Sequence, residues 1–193
     1  MGDVFSIFIT GVGGQGILLA SEVLSEVARI AGKDIKKSEV HGMAQRGGSV
    51  VAHVKIGADV ASPIISDGEA DVVLAFEKME ALRHINALKP DGKIVVNDEE
   101  IAPAPVAAGL MDYPDDIWDR IKKAAAAVLV PGAKLAKQAG TIKATNVVLL
   151  GALSSFMPFE DKHWKKAIEN IVPPKFVEVN LNAFEAGKQA AKG

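Results

Sequence analysis

The sequence predicts an α/β fold, with an open, mainly parallel, Rossmann-like sheet, flanking helices and a helical C-terminal part. Three observations predict it. Short apolar runs alternate with segments of helical period through the first two thirds of the chain, the pattern of a parallel sheet covered by helices. A Gly-x-Gly-x-x-Gly turn, Gly11-Val12-Gly13-Gly14-Gln15-Gly16, separates the first apolar run from the first helical one. From Thr145 onward the chain reads as almost wholly helical.

Val4–Thr10, rich in Phe and Ile and ended by glycines, is a buried strand. Ile17–Ala31 is a helix with Leu18, Val23, Leu24, Val27 and Ile30 at helical spacing and Gly32 as its stop. Asp34–Val40 and Ser49–Ile56 are strands, the latter with Val50, Ala52 and Val54 on one side, and Val60–Ile65 reads as a strand pairing beside it. Ala70–Phe76 (strand), Glu77–Leu88 (helix), the turn Lys89-Pro90-Asp91-Gly92 and Lys93–Val96 (strand) follow. Pro103–Pro105 marks an irregular crossing. Pro114–Ala127 is a helix opened by Pro-Asp-Asp, Val128–Val130 a brief strand and Lys134–Ala139 a short helix. Thr145–Phe156 is apolar nearly all round, hence buried, and its Gly151 indicates close packing. Asp161–Ile171 and Phe176–Lys192, parted by Pro173-Pro174, are the last helices, and Phe176, Val179 and Phe184 give the final one a core side.

The 193 residues suit one domain, 1–193, and no linker or repeat divides them. A net charge of −2 and no basic run give no case for nucleic acid. Apolar stretches such as Val147–Leu153 are far too short to span a bilayer, so a soluble cytoplasmic protein is expected, with no membrane contact. Cysteine is absent, which excludes disulfides, a thiolate nucleophile and a Cys-ligated iron–sulfur cluster on this chain.

Two loops carry the chemistry. In the first, Gly11, Gly13, Gly14 and Gly16 permit close backbone approach, and the following helix start offers free N–H groups to an anion. Such a turn either packs strand on helix, holds a phosphate-bearing ligand or serves NAD(P). Against the last stands the lack of a well-placed ribose acid, since neither Asp34 nor Glu39 sits convincingly where one is needed. Gln15 faces a ligand or a neighbouring loop. The second loop, Ser38–Ser49, sets Glu39, His41, Gln45 and Arg46 among glycines that include Gly47 and Gly48. Arg46 has the fork to clamp a phosphate or carboxylate, and Gly47-Gly48 would bring backbone donors to the same anion. The alternative is a self-satisfied loop with Glu39 paired to Arg46.

Together, Gly11–Gly16 and the run Ser-Glu-Val-His-Gly-Met-Ala-Gln-Arg-Gly-Gly-Ser-Val-Val-Ala-His-Val at 38–54 resemble the gamma-type subunit of 2-oxoacid:ferredoxin oxidoreductases. Gly42-Met43-Ala44-Gln45-Arg46-Gly47-Gly48 is most similar to the indolepyruvate branch of that family. Relatives acting on pyruvate or 2-oxoglutarate keep an Arg-Gly-Gly but usually differ just before it, and the equivalent subunit of a pyruvate, 2-oxoglutarate or branched-chain oxoacid enzyme is the alternative within the family. Ser62-Pro63, Gly68–Asp71, Pro90–Gly92 and Asn97 extend the similarity, and the last third fits more loosely.

The resemblance implies a subunit with no complete active site of its own, binding no cofactor alone, in a complex that uses thiamine diphosphate, Fe-S clusters and coenzyme A. It implies a large partner subunit carrying the thiamine and clusters, and ferredoxin as acceptor. Both loops, with Gly11, Gly13, Gly14, Gln15, Gly16, Glu39, His41, Gln45, Arg46, Gly47 and Gly48, would then face coenzyme A. A stand-alone NAD(P)-dependent dehydrogenase and a nucleotide-sensing module are the competing classes.

Other features read as structural. His41, His53, His84 and His163 lack metal-ligand spacing. Ser66-Asp67-Gly68 with Asn97-Asp98 is a chance approximation to a thiamine motif. Asp67, Glu69 and Asp71 look like a helix start, and Lys162, Lys165 and Lys166 around Trp164 like a solvated face.

Overall fold

The first apolar run forms β1 (Phe5–Val12), buried from Ser6 onward, in a computed structural model that describes residues 4–41 and 48–192. In α1 (Ile17–Ile30), Ile17, Ala20, Val23, Leu24 and Val27 recur every three or four residues and are buried. Strands β2 (Asp34–His41), β3 (Ser49–Gly57) and β4 (Ala70–Ala75) lead to α2 (Lys78–Arg83) and β5 (Leu88–Asn97). Next come α3 (Ala104–Ala107), α4 (Ile117–Ala124), β6 (Ala126–Val130) and α5 (Gly132–Ala139). Helices α6 (Thr145–Ser154), α7 (Asp161–Ile171) and α8 (Val177–Ala190) follow.

The strands lie in the order β2-β3-β1-β4-β5-β6. β1–β4, β4–β5 and β5–β6 pair parallel, whereas β3 runs against both of its neighbours. The expected mainly parallel sheet is therefore present, with β3 reversed. Because β2 runs the same way as β1, the β2–β3 connection is delivered to the C-terminal rim of the sheet, where β1 also ends.

Side chains alternate across the sheet. Ile7, Ile9, Val50, Ala52, Val54, Val72 and Leu74 face a core built with α1, α6, α7 and α8. Phe8, Val73, Ala75, Ile94 and Val96 face a smaller core closed by Ala81 of α2 and Ile117 and Ile121 of α4. The helical last third packs on one side, as its composition predicts. Every residue of α6 from Asn146 to Ser154 is buried. It meets α8 backbone to backbone: a Cβ on Gly151 would lie 2.0 Å from the Phe184 carbonyl oxygen, and one on Gly187 only 1.8 Å from that of Val148.

Several expectations are corrected. Val60–Ile65 is not a strand; its backbone donors are taken by side chains, Val60 N–H by Asp34 (2.9 Å) and Ile65 N–H by His53 Nδ1 (3.1 Å). The helix expected over Glu77–Leu88 breaks after Arg83 into a 3-10 turn, Ile85–Ala87. That expected over Pro114–Ala127 is only α4, since Ala126 and Ala127 already belong to β6. The Pro103 crossing holds the short α3. Lys89–Gly92 lies within β5 as an irregularity, the pairing jumping from Ala70–Leu88 to Val72–Lys93. Asp67, Glu69 and Asp71 open no helix but lead into β4, Glu69 accepting from Ser66 N–H (3.0 Å) and Asp71 from Ser6 N–H (2.7 Å).

Candidate functional site

Parallel neighbours β1 and β4 send their following helices to opposite faces, α1 to the larger core and α2 to the smaller. The crevice outside their C-terminal ends is thus the topological switch point, where ligands bind in open α/β sheets. The glycine turn sits in it. Gly11 and Val12 are still in β1, opposite Val50 and Ser49. Gly13 N–H donates to the Gly48 carbonyl (2.9 Å), so the two loops singled out in the sequence meet through a direct backbone bond. Gly14 and Gly16 both take positive φ. At Gly16, φ 87°, a side chain would also strike Asn146 Nδ2, 2.8 Å from the position of its Cβ. Glycine is required there because the backbone turns left-handed beneath α6. No side chain caps the start of α1.

Gln15 resolves in favour of the neighbouring loop. Its Oε1 accepts from Val12 N–H (2.7 Å) and its Nε2 donates to the Phe76 carbonyl (2.9 Å). The same carbonyl accepts from buried Asn97 Nδ2 (3.1 Å), and Asn97 Oδ1 accepts from Gly132 N–H (3.1 Å). One polar chain thereby ties the ends of β1, β4, β5 and β6 together along the rim. Gln15 shapes the turn through the backbone and spends both ends of its amide doing so.

Glu39 lies on β2 and turns toward α1, accepting from Ser21 Oγ (2.5 Å) and Lys37 Nζ (3.2 Å). His41 ends β2, opposite Val50. Gln45, Arg46 and Gly47 lie outside the described residues; Gly48 is the first residue described after them. The place beside β1 that a dinucleotide's ribose acid would need is taken by the reversed β3, whose first residue, Ser49, is opposite Val12. Asp34 begins β2 at the opposite rim, bound to Lys36 (2.9 Å). The ribose partner missing from the sequence is missing from the geometry of the described residues too.

Sequence reasoning missed two carboxylates. Glu77 and Glu80 are 1% and 5% exposed at the rim beside Ser49. Glu77 caps α2 through Glu80 N–H (2.9 Å) and accepts from Ile101 N–H (3.2 Å) and Tyr113 OH (2.6 Å). Burial, and then the Glu77 carboxylate, push the Tyr113 hydroxyl well above its ordinary pKa. Glu80 accepts from Ser49 Oγ (2.5 Å), Thr10 Oγ1 (3.5 Å) and Arg83 Nε (3.0 Å), so it clamps the exit of the second loop onto β1 and α2. His84 and His53 flank Phe8 behind it, and burial holds both imidazoles below their ordinary pKa. The only prior signal was helical spacing after Phe76, which says nothing of burial.

Ser66-Asp67-Gly68 precedes β4 while Asn97 ends the parallel β5, so the halves of the apparent thiamine motif lie at opposite rims. Among the described residues no cluster of His, Asp or Glu fits a metal ion. Lys162, Lys165 and Lys166 pair with Glu160, Glu185 and Glu169 around a buried Trp164, as a solvated face would.

The crevice itself, about 460 Å³, lies between Gly14–Gly16, Phe76, Asn97 and the Lys143–Asn146 segment. Its polar lining comprises the amides of Gln15, Asn97 and Asn146, the Thr145 hydroxyl, Lys143 and the Glu99 carboxylate.

Several known proteins are similar to this chain. The family described as pyruvate ferredoxin/flavodoxin oxidoreductase matches residues 6–190. The indolepyruvate oxidoreductase subunit IorB of Thermococcus kodakarensis is 45% identical, with 97% of this chain and 96% of that protein covered. Its counterpart in Pyrococcus horikoshii is 44% identical over the same shares. The gamma subunit of a keto/oxoacid ferredoxin oxidoreductase from Geobacter sulfurreducens has the same fold, with a TM-score of 0.72 at 27% identity over 97% of this chain and 98% of that one.

Proposed function

Because this chain belongs to the pyruvate ferredoxin/flavodoxin oxidoreductase family, we infer that it is the small subunit of a ferredoxin-dependent 2-oxoacid oxidoreductase, with indolepyruvate or another aryl pyruvate as the oxoacid. The reaction releases CO2 from the oxoacid, transfers the acyl group to coenzyme A and passes two electrons to ferredoxin. Thiamine diphosphate and the iron–sulfur clusters reside on a large partner subunit. With no cysteine, this chain is unsuited to hold the clusters, and its one approximation to a thiamine motif is split across the sheet. The subunit works in the cytoplasm, in keeping with the absence, among the described residues, of any helix long and apolar enough to cross a membrane.

The observation that carries this reading is the Gly13–Gly48 backbone bond at the switch point, which joins the glycine turn to the end of the second family-bearing loop. In this reading Gly11, Gly13, Gly14 and Gly16 bring backbone close to the acceptor, and Gln45, Arg46, Gly47 and Gly48 are the residues of the second loop assigned to hold part of it. Gln15 holds the glycine turn, Glu39 holds β2 against α1, and Glu80 holds Ser49 at the start of β3.

Anaerobic purification of the tagged chain from its host is the test. The expected result is a large chain bearing thiamine diphosphate and clusters, and ferredoxin reduction that needs both coenzyme A and indolepyruvate, faster than with pyruvate, 2-oxoglutarate or branched-chain oxoacids. Recovery of this chain alone, with NAD(P) turnover, refutes it. Titration of the complex with coenzyme A then tests Arg46: equal affinity in native and Arg46→Ala protein removes that residue from the site.

A further inference from the structure

Behind the Ser49 clamp lies an imidazole that none of the bonds of the rim uses. His84 closes α2, and its Nε2, shut off from solvent, has no hydrogen-bond partner among the described residues. It stands 3.7 Å from Glu80 Oε2, too far for a hydrogen bond and close enough for an ion pair once the ring is charged. Buried polar atoms are nearly always paired, and charging the ring puts a donor proton on this one.

The oxygen it faces is already in use. Glu80 Oε2 accepts from Ser49 Oγ (2.5 Å) and from Thr10 Oγ1 (3.5 Å), while Oε1 takes Arg83 Nε (3.0 Å). A carboxylate oxygen has about two lone-pair sites, so an imidazolium is a third donor that must draw Oε2 away from the two hydroxyls. Ser49 is the first residue of β3, opposite Val12, and Gly48 before it receives the Gly13 N–H. A shift of Ser49 is therefore passed directly to the glycine turn.

The charged groups around His84 come from several elements. Glu80 on α2 and Asp67 ahead of β4 favour the charged ring, and Arg83 on α2 opposes it. Across Phe8, His53 on β3 repels it in turn, with Lys55 beyond. The same core is closed by Ile117 and Ile121 of α4, which carry no charge. Burial outweighs these terms and keeps the ring neutral at neutral pH, within reach of a proton in mild acid.

We propose that His84 is a positioning residue that makes the seating of β3 on β1 depend on protonation. When charged, it takes Glu80 Oε2 from Ser49 and Thr10, and the start of β3 loosens beside the glycine turn. The device belongs to this chain alone and holds whatever ligand the rim receives.

NMR titration of the full-length chain from about pH 8 to about pH 5 tests it. The His84 ring signals report its protonation, and the backbone amides of Gly13 and Ser49 report the clamp. Both amides are expected to shift with the same midpoint as the ring, below the ordinary histidine value. Glu80→Gln keeps an oxygen for Ser49 but removes the charge that attracts the imidazolium, so the His84 midpoint should fall further. His84→Gln should abolish the transition at both amides, and His53→Gln should retain it. Amides that stay still while His84 titrates overturn the proposal, and this comparison needs no variant. A transition that persists in His84→Gln, or vanishes in His53→Gln, overturns it as well.

Discussion

Substitution of Gly187 by alanine tests how tightly α6 and α8 are fitted. The new Cβ would stand 1.8 Å from the Val148 carbonyl oxygen. Ordinary contact is about 3.5 Å, so the helices must separate by roughly 1.5 Å or one must bend. Overfilling a packed interior costs about 1–3 kcal/mol. The obstacle here is backbone, with no rotamer to swing aside, which places the cost near the top of that range. Alanine returns about 1 kcal/mol through its better helix propensity. The expected net loss is about 2 kcal/mol, or about 4–8 °C in Tm for a chain of this length. Thermal and urea unfolding of the purified chain measure it. Gly151→Ala meets the reciprocal contact, so the double variant should lose less than the sum of the singles, because helices already parted have room for the second methyl. A Gly187→Ala protein as stable as its parent, or strictly additive losses, would refute the reasoning.

Three further expectations follow from the rim. Glu80→Ala removes a buried acceptor shared by Ser49, Thr10 and Arg83, and a loss of about 3 kcal/mol in urea unfolding is expected, while Ser49→Ala should cost nearer 1 kcal/mol. Gln15→Glu keeps the acceptor for Val12 N–H but turns a carboxylate on the Phe76 carbonyl; hydrogen exchange at residues 12–16 should rise markedly, and unchanged protection would show the bridge to be dispensable. His53 and His84 have folded pKa values below the ordinary one, so the unfolded chain binds protons first as pH falls. Their contribution is complete above about pH 6.5 and is lost as pH falls through the folded values, so the urea midpoint should drop in that window. His84→Gln should flatten the slope; an unaltered slope would assign it to other groups.

Periodicity made the strands and the buried helix α6 legible, because Ile7, Ile9, Val50, Ala52 and Val54 alternate and residues 147–153 are apolar on every side. It could not give direction. β3 alternates equally well whichever way it runs, and only its pairing reveals that the second loop returns to the first. Val60–Ile65 reads as a strand because the Gly57-Ala58-Asp59 turn could fold it back beside β3, yet Val60 and Ile65 are buried while Asp34 and His53 take their backbone donors. Both glycine loops were visible as motifs, and the structure adds the bond between them. Glu77 and Glu80 were invisible for a different reason. A carboxylate at or near a helix start normally faces water, and partners distant in sequence, Thr10 and Ser49 for Glu80 and Tyr113 for Glu77, help to satisfy these two when buried.

The two lateral margins of the sheet differ in a way that bears on how the chain behaves before it finds a partner. An uncovered outer strand is a template on which a foreign strand can add, and proteins guard such strands with charge or brevity. β2 is eight residues long, but Asp34, Lys36, Lys37 and Glu39 stud it, so an incoming peptide would have to strip several ions of water. β6 has no charge in Ala-Ala-Val-Leu-Val and relies on being only five residues long. A newly made subunit is thus protected from self-templated aggregation by electrostatics on one flank and by shortness on the other. Any change that lengthens β6 or neutralises the lysines of β2 should first be felt as insolubility, while the folded sheet itself stays intact.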